Sequence, residues 1–328
     1  MSVHSEQTLK LLIWENYVSP KVIKDFEAET GIQVETTLFA NDEQRSLMIS
    51  SAPGLYDLIL LDKNTIPHYR DLNWIKPLNY KAVPNHKHLA KRWRDDAGHG
   101  LPYTWGTVGI AYRSDLVGKI PTSWKDILEP TILQRGKVVM IDQAKEVFGA
   151  TLMYMNKSTT NLSISDLDLA YSILMSQRKH TRYNIEPLDE NNGFVTGDII
   201  LGMSYNGDAA FLNKHHSEHI RYVLPEEGCL LWADHWALLK NAANGDNAHQ
   251  FLNYINQPDV AKENMYYTSN GTANMAAYAL LPETERNNTV VYPSSDALSN
   301  CEFFDVKNPH LSRELNQVFF MLSGAKES

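Results

Sequence analysis

The chain has 328 residues, 43% of them hydrophobic and 21% charged, a globular composition too long for one core. Lys and Arg total 30 against 39 Asp and Glu, a formal charge of −9 that disfavours a nucleic-acid partner and suits a cationic one. No apolar run approaches the ~18–20 residues of a membrane span. The first residues, Met1 to Gln7, carry neither a basic nor an apolar leader pattern, as in a cytosolic start or a mature secreted chain. Cys229 and Cys301 read either as one long-range disulfide or as two buried thiols.

Strand and helix signals alternate from the start. Leu9–Trp14 reads as a buried strand. Ser19 and Pro20 then open a helix that Gly31 closes, with Val22, Ile23 and Phe26 on one face. Gln33–Phe39 reads as a strand, Glu43–Ser50 as a helix and Tyr56–Asp62 as another strand. That order predicts parallel crossovers in an open α/β sheet, with ligands at the carboxyl ends of the strands. Trp14 and Asp62 stand at such ends.

A second α/β unit begins near residue 112, with a helix from Ser123 and a strand over Lys137–Ile141. Helices follow at Lys145–Met155 and Ser165–Gln177, then the loop Asp189–Gly193. Strands at Ile199–Tyr205 and Arg221–Leu224 flank a helix over Asp208–His216. With no low-complexity linker, the lobes are expected to be joined where strands pass between them, at Tyr103–Tyr112 and Trp232–Leu238.

Enzyme patterns are missing: no Gly-x-Ser-x-Gly elbow, no phosphate loop and no dinucleotide-binding glycine run. Cys229 and His235 alone do not make a nucleophile and base. His215, His216 and His219, with His86 and His88, read as solvated polar positions rather than zinc ligands. No cofactor or metal is expected.

Rings and carboxylates cluster at the predicted strand ends: Trp14 with Tyr17, Asp62, Asp142 to Glu146, Tyr205 to Asp208, and Trp232 with Asp234. Ring faces attract ammonium groups by ~0.5–2 kcal/mol each, and a buried carboxylate needs a charged partner. A polyamine answers both, with methylenes for the rings and spaced amines for the acids. Structural roles compete for each residue. Trp14 fits a core position, Asp62 and Asp208 fit helix caps, and Glu146 fits the first turn of a helix.

At these residues the chain resembles the spermidine/putrescine-binding proteins of bacterial ABC uptake systems, over Leu9 to the C-terminus. The matching segments include Leu12–Val18, Phe26–Val34, Leu101–Thr107, Gln143–Phe148, Gly202–Gly207 and Glu227–Asp234. The resemblance implies a periplasmic, two-lobed α/β binding protein of type II. Each lobe is an open, mostly parallel sheet flanked by helices, and the lobes close on a ligand in the cleft between them. Lobe one would hold 6–109 and 235–280, lobe two 110–234 and 281–328, with hinges near 105–112 and 232–238.

Carried over residue by residue, Trp14, Tyr17 and Trp232 match aromatic walls, and Tyr205 replaces a Trp. Glu146 and Asp234 match carboxylates that hold ammonium groups. Departures rebuild one end of the site. Gln143 replaces an Asp, with Asp142 beside it; Asp62 replaces a Ser and Asn64 a Tyr; Asn270 replaces a Tyr and Phe303 a Gln. A triamine such as norspermidine or spermidine is the expected ligand, another small cationic or polar solute the alternative. The departures point to the NspS-type norspermidine sensors, so the expected membrane partner is a cyclic-di-GMP signalling receptor or an ABC permease. The protein is expected to be a monomer, with its signal peptide removed.

Overall fold

The structure is a computed structural model that describes residues 7–306 and 308–324. The reading of the first residues, and residues 6, 307 and 325–328 of the expected lobes, lie outside those described. The strands are β1 (Thr8–Ile13), β2 (Gln33–Leu38), β3 (Leu58–Asp62), β4 (Ile75–Lys76), β5 (Gly100–Arg113) and β6 (Val138–Met140). They continue with β7 (Thr181–Tyr183), β8 (Leu201–Tyr205), β9 (Ile220–Val223), β10 (Leu230–Leu239), β11 (Gly271–Thr272) and β12 (Glu302–Phe303). Among the described residues, no helix is long and apolar enough to cross a membrane.

The chain divides into two compact units at Trp105/Gly106, Trp232/Ala233 and Asn287/Asn288. The first two divisions fall within β5 and β10, so each of these strands begins in one unit and ends in the other. The boundaries differ from those expected at 109/110, 234/235 and 280/281, and Asp234 falls in the first unit rather than the second.

In the first unit β1 lies between β2 and β3, parallel to both, and β3 pairs antiparallel with the second half of β10. Leu9, Leu11, Leu12 and Ile13 of β1 are all buried, as a strand covered on both faces requires. The end strand β2 carries no fully buried residue, the mark of an edge. Helix Pro20–Thr30 has Pro20 in its first turn and ends at Gly31 in the left-handed conformation, as expected. The expected capping by Ser19 is corrected. Its side chain makes no capping bond, and its N–H donates to Asn264 Oδ1 at 2.7 Å. Leu12, Phe39, Ile59, Leu61, Tyr69 and Ala237 belong to the core that underlies the strand ends.

In the second unit the latter half of β5 pairs antiparallel with β8 and β9, and β6 runs parallel between β7 and β8. Its core gathers Trp124, Met140, Phe148, Leu174, Met203 and Leu230. Helices Ala144–Tyr154, Ile164–Arg178 and Asn206–His215 follow the sequence reading to within two residues, whereas the helix expected from Ser123 is a single turn at Lys125–Leu128. Cys229 and Cys301 form a disulfide, which settles the open pairing. Gly228 is required beside it: with φ at +117°, a Cβ there would stand 2.0 Å from the carbonyl oxygen of Asn300.

Candidate functional site

The first unit assembles its polar groups where β1, β3 and β10 end or pass. Asp234 lies directly opposite Asp62 in the antiparallel register of β10 and β3, so the two side chains stand on one face of the sheet. Asp234 is only 7% exposed. Burial first, then the Asp62 charge, pushes its carboxyl up to about 7. Tyr17 Oη donates to Asp234 Oδ2 at 2.5 Å, and burial followed by that negative charge raises the phenol well above its usual range. The turn that delivers Tyr17 is fixed by Asn16 in the left-handed conformation, whose side chain accepts from Tyr267 Oη at 3.1 Å. Tyr103 Oη donates to the Tyr17 carbonyl at 2.7 Å and accepts from Asn264 Nδ2.

Asp62 also caps. Its Oδ1 accepts from the N–H of Asn64 at 2.9 Å, at the head of the single turn Lys63–Thr65. The capping role and the place opposite Asp234 are therefore held by one carboxylate. Trp14, just past β1, is half-buried and packs against Phe39 with ring centroids 4.2 Å apart. It lies at the rim of the core that underlies the strand ends. Asn270 is buried next to β11, which pairs with Trp105 and Thr104 of β5.

In the second unit Tyr205 and Trp232 meet edge to face, ring centroids 6.1 Å apart at 87°. Gly106 makes room for Trp232 and Asn206: a Cβ there would stand 2.2 Å from Asn206 Oδ1 and 2.5 Å from Trp232 Cζ2. Asn206 accepts from the N–H of Thr107 at 2.9 Å and donates to the Val290 carbonyl at 3.0 Å, which anchors the start of its helix against β5. Asp208 lies in the first turn of that helix rather than at its cap, a position held by Tyr205. It is half-buried and has no partner among the described residues, and burial alone pushes its carboxyl up to about 7. The sequence reading weighed Asp208 both as an acid for a cation and as a helix cap, and the cap is the reading that the structure removes.

Glu146 is half-buried in the first turn of helix Ala144–Tyr154, with Gln143 half-buried at its cap. Asp142 is exposed, with its carboxyl raised by partial desolvation. Phe303 is half-buried in β12, in register with Leu231. The structure thus brings Tyr17, Asp62, Asn64 and Asp234 together in the first unit, and Tyr205 and Trp232 in the second, while Trp14 stands at the end of the neighbouring β1 against Phe39.

Other polar candidates are committed elsewhere. Cys229 is oxidised, and both ring nitrogens of buried His235 face main-chain oxygens, of Trp93 at 2.6 Å and Ala233 at 3.2 Å. His215 packs on Phe211, and His86 Nδ1 lies 2.7 Å from the Val83 carbonyl. Among the described residues no three His, Cys, Asp or Glu side chains are placed to hold a metal.

The chain is similar to the norspermidine sensor of Vibrio cholerae, 31% identical over 288 residues that span 87% of this chain and 80% of that one. It is also similar to the putrescine-binding periplasmic protein PotF of Escherichia coli, 26% identical over 343 residues, 98% of this chain and 92% of the relative. The spermidine/putrescine ABC transporter substrate-binding protein PotD of Streptococcus pneumoniae shares the fold, with a TM-score of 0.81 at 23% identity over 97% of this chain and 99% of that one. The architecture is the two-lobed α/β fold of type II periplasmic binding proteins. Residues 21–290 match the family described as bacterial extracellular solute-binding protein, and the chain belongs to that family.

Proposed function

We propose that the chain is a periplasmic polyamine-binding protein whose ligand is a triamine of the norspermidine or spermidine type. The facing Asp62 and Asp234 carboxylates carry the reading. Two acids held opposite each other on adjacent strands, one of them buried, need positive charge, and an ammonium group supplies it with hydrogen bonds to both. Trp14 and Tyr17 offer flat surfaces to the methylenes beside that ammonium. In the second unit Asp208 and Glu146 are the matching acids, with Tyr205 and Trp232 as rings. A polyamine that binds one conformation of the chain better than the others stabilises it, and a membrane partner reads that conformation.

The chain is read as a binder and not an enzyme, because its cysteines are joined and His235 is bonded to main chain. Sensing through a cyclic-di-GMP receptor and uptake through an ABC permease use the same binding step. The likeness to a norspermidine sensor favours sensing, by a monomer in the periplasm.

Isothermal titration against putrescine, norspermidine, spermidine and spermine tests the reading. The protein is first unfolded and refolded without reductant, which strips carried ligand and keeps the disulfide. Saturable one-to-one binding, tightest for a triamine, is expected. No heat with any of the four, together with an unshifted melting curve at high ligand, overturns it.

A further inference from the structure

Asn264 lies inside helix Pro258–Thr268 and is only 2% exposed. Asn is a poor helix former, and burying its amide costs free energy unless the oxygen and the nitrogen both find partners. Neither partner here is local. Oδ1 accepts from the N–H of Ser19 at 2.7 Å, and Nδ2 donates to Tyr103 Oη. Tyr103 in turn donates to the main-chain carbonyl of Tyr17 at 2.7 Å. One side chain therefore grips the segment Tyr17–Ser19 at both ends, directly at Ser19 and through one hydroxyl at Tyr17. One turn further along the same helix, Tyr267 Oη donates to Asn16 Oδ1 at 3.1 Å.

The segment needs such a hold. It has left β1 at Ile13 and enters the next helix only at Pro20, and Asn16 within it is in the left-handed conformation. The helix that grips it is itself tied down. After Ser269 the chain returns through β11, where Gly271 and Thr272 pair with Trp105 and Thr104 of β5, and the N–H of Ala273 donates to the Tyr103 carbonyl at 3.1 Å. The Tyr103 ring packs on Trp236, with centroids 5.3 Å apart, and Trp236 is two residues from Asp234 on β10. Helix, β5 and β10 thus share one frame around the segment.

We infer that Asn264 is a positioning residue for the ligand site: it sets the main chain of Tyr17–Ser19 so that the Tyr17 hydroxyl meets Asp234 Oδ2 at 2.5 Å. A displacement of about 1 Å at the hydroxyl is enough to break that bond. The inference rests on the polyamine reading for its consequence in binding, whereas the placement of Tyr17 needs no ligand. Asn264 acts only through Tyr17, so its removal should cost nothing once Tyr17 is gone.

A double-mutant cycle with Asn264→Leu and Tyr17→Ala tests this. Titration calorimetry should show Asn264→Leu binding norspermidine about tenfold more weakly in the otherwise wild-type chain. In the Tyr17→Ala background the same change should alter affinity by less than about twofold. A readout without ligand accompanies it: ¹³Cζ-tyrosine NMR, with Tyr17→Phe to assign the resonance. Asn264→Leu should shift the Tyr17 signal and leave that of Tyr183, in the other unit, in place. An equal loss of affinity in both backgrounds, or an unmoved Tyr17 signal, assigns Asn264 to packing alone and overturns the inference. If wild type binds no polyamine while the Tyr17 signal still moves, the functional reading fails and the positioning of Tyr17 stands. Should Asn264→Leu not fold, Tyr103→Phe, which cuts the link from Asn264 to Tyr17 at its middle, carries the same comparison.

Discussion

The two units hold their acids in opposite ways. In the first, Asp234 is surrounded: a phenol donates to it and a second carboxylate faces it. In the second, burial is the cause that raises Asp208, one turn past Tyr205, whose ring meets that of Trp232 over a bare Gly106 that leaves Trp232 its space. Both carboxyls are pushed up to about 7, one by burial with a like charge and the other by burial alone. A shared value therefore hides two designs. The first unit holds an acid whose hydrogen bond and facing carboxylate are already in place, and the second holds one with no hydrogen-bond partner among the described residues.

Removing the hydrogen-bonded acid breaks this comparison most sharply. Asp234→Asn is expected to weaken polyamine binding by about 2–5 kcal/mol, the cost of losing one partner of a buried charge pair. Titration calorimetry measures it. The same change relieves the repulsion between Asp62 and Asp234, so the ligand-free protein should melt no lower than wild type above neutral pH. A loss of a few tenths of a kcal/mol would mean that the first unit's acids face solvent and not a ligand.

The sequence made the secondary structure of both units readable, because continuous apolar runs such as Leu58–Leu61 and helix punctuation such as Pro20 and Gly31 act locally. It also brought Trp14, Tyr17, Asp62 and Asp234 to notice as rings and acids at strand ends. What it could not supply was register. Asp62 and Asp234 become partners only because β3 and β10 align antiparallel across a long chain separation. The burial of Arg45 was invisible for a related reason: in the otherwise polar helix Asp42–Ser51 it looks solvated, and only the fold of Phe39 and Tyr69 around it makes it buried. Asp208 was open to view but undecided between a cap and a binding acid, since a helix start and a binding acid share the same residue type.

The acid of the second unit should show itself in a pH profile. An unfolded Asp titrates near 4, whereas Asp208 in the folded chain titrates at about 7. Between those values the folded state binds more protons than the unfolded state, so stability declines as pH rises through that window. Asp208→Asn should flatten the decline in the melting temperature of ligand-free protein and weaken polyamine binding by about 1.5–3 kcal/mol. Stabilisation by ligand should correspondingly grow with pH over the same range in wild type and less so in the variant. An unchanged melting profile would show that water already reaches the carboxylate.

The smallest effect is expected at Trp14, at the rim of the core. Trp14→Ala removes a ring face worth ~0.5–2 kcal/mol to a nearby ammonium and its methylenes. It also strips Phe39 of its packing partner and so unseats the ring that lies over Arg45. Binding and melting temperature should therefore fall together, whereas Trp14→Phe, which keeps a ring against Phe39, should recover most of the stability and part of the affinity. A variant that loses stability but binds norspermidine as tightly as wild type would make Trp14 core alone. The ligand would then lean only on Tyr17 in the first unit, and the Asp62–Asp234 pair would have to hold its ammonium without a wall.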